Sequence, residues 1–136
     1  MIKFLVLIVF AFVLFVILDF IWFKLAGNFF KAEVGSILRL SGAGEWQVRT
    51  WAALLAYLFM ALGTVLFVLP QSATLGQVIL YGGAFGLVTF GIFDLTNLAI
   101  LTAWTTRFIL VDMSWGIVTN AVVASSLFTL ARVLWR

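Results

Sequence analysis

Three aspartates stand inside apolar sequence, where an ionisable side chain is costly and is expected to face a bundle interior or a site. They are Asp19 in VILDFIWF, Asp94 in GIFDLTNL and Asp112 in ILVDMSWG. Each has a hydrogen-bond donor three residues on, respectively Trp22, Asn97 and Trp115. On a helix that spacing puts acid and donor on one face, and an indole N–H or a carboxamide can donate to a carboxylate. Burial and mutual repulsion both penalise three charges in a low-dielectric layer, so a proton or a cation must balance them. Two bases of the chain itself are candidates. Lys24 lies just beyond Asp19 and Arg107 just before Asp112, and long basic side chains near a helix end reach along it. With both folded inward, the acids form a buried ionic network that fixes helix packing. With neither, they form a site for a proton, a hard cation or the ammonium group of a small solute.

The elements that carry these acids follow from composition. Of 136 residues, 65% are hydrophobic and 10% charged, against roughly 45–50% and 25% in ordinary soluble domains. A helix needs about 20 apolar residues to cross a hydrocarbon layer of ~30 Å. Four such stretches fit, over about 4–23, 51–69, 78–101 and 108–134, and they leave no room for a soluble domain. The expected architecture is all-α: a single membrane domain over 1–136, built as a four-helix bundle in a cell membrane. Lys3 precedes the first apolar run as in a signal peptide. That run is longer than a signal core and lacks a clear small-x-small cleavage site, so it reads as a retained first span.

Between the first two spans, Phe29, Phe30, Val34, Ile37 and Leu38 recur at helical spacing, with Lys31, Glu33 and Arg39 between them and Gly42 and Gly44 as a stop. The pattern predicts a short amphipathic helix over about 28–40, lying at the interface as a connector on lipid headgroups or as a lid over a site beneath it. Pro70 closes span two. Residues 70–74 and 102–107 make tight turns, and Trp104 occupies a position suited to an interfacial aromatic belt.

Chain direction alternates between spans, so at ~1.5 Å per residue all three carboxyls fall about 6–11 Å below the surface that carries the long connection. Tyr57 lies about as deep on span two and is a further candidate donor. Span four continues a polar stripe inward through Gly116, Thr119 and Asn120, while Gly86 and Gly91 keep the face of span three narrow beside Asp94. The small-xxx-small pattern ending at Gly86 suits close helix approach. Lys24, Lys31, Arg39, Arg49 and Arg107 lie on one side, against Lys3, Arg132 and Arg136 on the other. The excess places the amphipathic segment in the cytoplasm and both termini outside.

Several chemistries lack their residues. The chain has no cysteine and no histidine, which removes thiol chemistry and the usual ligands for zinc, haem and iron–sulfur clusters. No phosphate-binding motif and no nucleophile stand out, so no catalytic residue is assigned and no cofactor is expected. Bases at helix ends reflect membrane topology and point to no nucleic acid.

The strings FDLTNLA from Phe93, Trp104, and VDMSWG from Val111 resemble the signature of the domain-of-unknown-function family numbered 2177, small bacterial proteins with four predicted spans. LDFIWF from Leu18 and NFFKAEVGSIL from Asn28 are similar to that family's acid-tryptophan and aromatic-basic stretches. Phe93 replaces the tyrosine expected before the aspartate, which removes a hydroxyl from the site. The resemblance implies the fold, a bacterial inner membrane and the same choice of residues; it implies no activity. Three functions are therefore weighed. The first is binding or transport of a proton, cation or small cationic solute, which in so small a chain implies a homo-oligomer with the span-three glycines as a contact. The second is a structural or accessory role for the acids, and the third, ranked last, is a carboxylate-dependent enzyme.

Overall fold

The computed structural model describes residues 1–134; Arg136, counted above among the bases of the second side, lies outside them. Four long helices dominate: α1 Ile2–Val34, α2 Thr50–Gly63, α3 Leu75–Ile100 and α4 Thr106–Leu134. All four are long and apolar enough to cross a membrane, α2 together with the π-helical turn Thr64–Val68 and the 3-10 turn Leu69–Gln71 that extend it. This is the all-α membrane bundle expected from composition. Helices are the form such a chain must take in lipid, because each satisfies its own backbone groups. Thr74 starts α3 with a reciprocal capping box, its hydroxyl accepting from the Gln77 N–H and the Gln77 side chain accepting from the Thr74 N–H. Thr105 caps α4 through the Phe108 N–H at 3.1 Å. The hydroxyls of Ser114, Ser125, Ser126 and Thr129 donate to carbonyls four residues back, which accounts for much of the polarity of α4 without invoking a site.

One expected element differs. No separate interfacial helix forms over 28–40, because α1 runs unbroken through Lys24, Gly27 and Asn28 to Val34 and ends in a 3-10 turn, Gly35–Ile37. Ala26, Phe30 and Val34, four residues apart, are buried with Phe108 and packed by Trp22, Trp46 and Trp104. That tertiary burial outweighs the weak local preference of a glycine to end a helix. At ~1.5 Å per residue Val34 stands about 22 Å beyond Asp19. By contrast α2 begins only seven residues before Tyr57, so the last turns of α1 project past the neighbouring helix on the side that holds the acids. The chain then doubles back: Leu40 and Trp46 form an antiparallel bridge, Gly44 takes φ 75°, and Lys31 Nζ donates to the Gly44 carbonyl at 2.7 Å.

The tightest pairing is α3 against α4. A Cβ on Gly82 would lie 2.8 Å from Ala124 Cβ and 2.9 Å from the Asn120 carbonyl oxygen, and one on Gly86 would strike the Gly116 carbonyl. From the other side, the Phe90 ring occupies the space a Cβ on Gly116 would need. The span-three glycines therefore meet α4 of the same chain, and this corrects their expected role as a contact between copies. Beneath the acids, Phe15, Val65, Val123 and Leu127 fill the bundle centre. Gly86→Ala should destabilise the protein by about 1–3 kcal/mol, the usual cost of overpacking. Gly76→Ala, whose new methyl meets only Thr74 Oγ1 at 4.0 Å, should be neutral or stabilising by up to about 1 kcal/mol. Thermal unfolding in detergent micelles reads both, and equal midpoints would refute the close approach of α3 to α4.

Candidate functional site

The structure brings all three aspartates into the interior at one level. Asp94 is 0% exposed, Asp112 8% and Asp19 9%. Asp94 lies six residues before the end of α3 and Asp112 six after the start of α4, so the glycine-mediated pairing of those helices sets them side by side about 9 Å below their ends. Asp112 stands near enough to Asp94 and Asp19 that charge on either would repel its own. Among the described residues, however, no three Asp, Glu, His or Cys side chains gather as metal ligands.

The donors are not the ones spacing predicts. Trp115 Nε1 donates to Asp19 Oδ1 at 2.7 Å, from α4 to α1, rather than to Asp112 on its own helix. Trp104 Nε1 donates to Asp94 Oδ1 at 3.2 Å, while Asn97 is half-buried and makes no side-chain bond to that acid. Trp22 stacks flat on Trp115, with centroids 4.5 Å apart and planes 3° from parallel, and its own Nε1 is buried without a partner. The i, i+3 rule fails because it counts only neighbours on one helix, whereas a bundle interior offers closer acceptors across the interface. Tyr57 falls where its depth predicts and interacts with Asp19. Asp19 thus ties α1 to α2 and α4.

The other two acids are left underserved. Asp94 Oδ2 is buried with no hydrogen-bond partner, and the Asp112 carboxyl makes no hydrogen bond among the described residues. Lower on α4, Asn120 Nδ2 donates to the Gly116 carbonyl at 2.8 Å, but Asn120 Oδ1 and Thr119 Oγ1 are buried and unpartnered.

Neither proposed internal counter-ion reaches the acids. Arg107 pairs with Glu33 at 3.3 Å and lies over the Phe29 ring. Lys24 Nζ sits 4.6 Å from the centroid of Phe20. Both side chains turn outward because water and aromatic faces cost a cation less than the bundle interior does. Among the described residues no base lies within ion-pairing distance of Asp19, Asp94 or Asp112.

A family model described as a predicted membrane protein, DUF2177, matches residues 4–129. The chain belongs to this family. No curated protein and no solved structure matches it. In this DUF2177 protein the segment FDLTNLA supplies Asp94, and the following Trp104 is that acid's donor. Sequence reasoning placed Trp104 in an aromatic belt; its place ten residues after Asp94, just past the end of the same span, was the signal that could have found it. Phe93, where a tyrosine was expected, packs edge-on against the Trp104 ring with centroids 5.6 Å apart. Sequence reasoning also missed Glu33, which accepts from Thr105 Oγ1 at 2.6 Å as well as from Arg107.

Trp115→Phe should cost about 1–3 kcal/mol, the range for leaving a buried acceptor without its hydrogen bond. Trp22→Phe should cost clearly less, because the N–H it removes has no partner. Unfolding midpoints of the two variants in one detergent check this order; the reverse order would restore the same-helix pairing of Trp22 with Asp19.

Proposed function

We propose that this membrane protein binds a proton or small cation at Asp94 and Asp112, taken up from the surface that carries the long connection. The observation that carries this reading is the absence, among the described residues, of any base paired with three buried carboxyls. Charge buried without compensation is too costly to persist, so what balances it must come from outside the chain. The three acids divide by their partners. Asp19, held by Trp115 and Tyr57, is a tie between helices, and in this part the structural reading has support of its own. Asp94 and Asp112, one with a free oxygen and the other with no donor, are the exchangeable pair. The scarcity of carboxyl ligands at any one point favours a proton over a metal ion.

Access runs from one face, since Phe90 and the apolar centre at Phe15, Val65, Val123 and Leu127 close the way to the other. A chain of four spans that carries its ligand across the membrane does so as a homo-oligomer or by rearranging that apolar centre. Its setting is a bacterial inner membrane, with the basic end in the cytoplasm and both termini outside. Lipids are its surroundings, and nucleic acid is no partner.

A lipid-soluble carbodiimide, which reacts with protonated carboxyls, tests the reading in proteoliposomes. Modification of Asp94 or Asp112, located by mass spectrometry, should fall as pH rises. Protection by an added ammonium or alkali cation at constant pH would assign a cation in place of the proton. Asp94→Asn retains the acceptor for Trp104 and removes a charge, so its unfolding midpoint should equal or exceed that of the parent. An ion-paired acid would instead lose about 3–5 kcal/mol on losing its charge. A loss of that size, with no modification at either acid, would overturn the proposal.

A further inference from the structure

A chain of aromatic rings runs between the two hydrogen-bonded acids on the surface side. Trp115, bonded to Asp19, stacks on Trp22; Trp22 meets Phe30 at 6.4 Å; Phe30 meets Phe108 edge-on at 4.9 Å; and Phe108 meets Trp104, bonded to Asp94, at 4.8 Å. Trp22 and Phe30 come from α1, and Phe30 belongs to the projecting turns that α2 does not accompany. Those turns are fastened at one polar point. Glu33, whose side chain is 14% exposed, accepts from Thr105 Oγ1 at 2.6 Å and from Arg107 at 3.3 Å, and so joins the end of α1 to the turn between α3 and α4. Thr105 also caps α4, and the same turn carries Trp104. One carboxylate therefore holds together the overhanging helix end, the cap of the helix bearing Asp112 and the turn that supplies the donor to Asp94.

We infer that the end of α1, residues 25–34, is a lid over Asp94 and Asp112 latched by Glu33, and that its release opens the acids to the aqueous surface. The inference rests on the proposed function for what the lid admits, but not for the lid itself. Rings packed edge to face exclude water without being bonded to one another. The fastening is a short hydrogen bond to a charged acceptor and an ion pair whose arginine side chain is 77% exposed. Such a latch is strong enough to set a resting position and weak enough to open. Gly27, buried inside the segment beside Trp46, weakens the helix there relative to alanine, which eases bending of its last turns.

Two readouts on Glu33→Ala and Glu33→Gln test this. The first is the rate at which a water-soluble carbodiimide modifies Asp94 and Asp112. The second is backbone hydrogen exchange over residues 102–108, which needs no reactive acid. Loss of a charged acceptor should raise both about tenfold in Glu33→Ala, with Glu33→Gln, which keeps an acceptor for Thr105, in between. The lipid-soluble reagent reaches the acids regardless of the lid and so separates the two claims. If it modifies the acids while the water-soluble rate stays at the parent value, the lid is overturned and the site stands. Should neither reagent modify any variant, the site fails and exchange alone decides: a rise supports the lid, and no change overturns it. Folding of both variants is checked by a parent-like far-UV circular dichroism spectrum, which release of a lid that stays helical leaves unchanged.

Discussion

The contact between α3 and α4 governs the rest of this molecule. Gly82, Gly86 and Gly116 let the two backbones approach until a methyl group on any of them meets the opposite helix, and every residue above that contact inherits its register. Asp94 and Asp112 come together because they stand eight residues from Gly86 and four from Gly116 along helices that are already in touch. In lipid, where hydrocarbon chains compete on equal terms for apolar surface, this close packing is the main source of helix association. The glycines are thus committed within the chain, and an assembly of several copies must use other faces.

Given that register, the electrostatics follow from what the neighbours lack. An aspartate inside a bundle is ordinarily explained by a base beside it, and this sequence offers two at suitable positions. Both are drawn elsewhere. Arg107 finds Glu33 and the face of Phe29 within reach of water, and Lys24 finds Phe20, so among the described residues the acids stand in the interior without a base beside them. Indole N–H groups from Trp104 and Trp115 then serve as the available donors. They satisfy one oxygen each on Asp94 and Asp19, and among the described residues Asp112 receives none.

The same tryptophans join the chemistry to the architecture. Trp115 bonds an acid on α1 while its ring stacks on Trp22, and Trp104 bonds an acid on α3 while its ring packs on Phe93 and Phe108. Each indole spends its edge on a carboxyl and its face on another ring, so the buried acids and the aromatic layer above them are in direct contact. This couples the position of the α1 end to the surroundings of Asp94, and makes the surface over the acids part of the site.

What the sequence determined by itself were the properties that depend on counting along the chain. Apolar run length settled the number of membrane helices, and rise per residue settled the common depth of Asp19, Asp94, Asp112 and Tyr57, because both are set by geometry repeated at every residue. The continuation of α1 past Gly27, the donors Trp104 and Trp115, the outward turn of Arg107 and Lys24, and the latch at Glu33 were decided only by the tertiary structure. Apart from Lys24, which settles on Phe20 of its own helix, each is a choice among partners brought in by other parts of the chain, the two indole donors standing 10 and 96 residues from their acids. Such a choice is settled by which partner stands nearest and whether water can reach it, and neither quantity exists until the helices have packed.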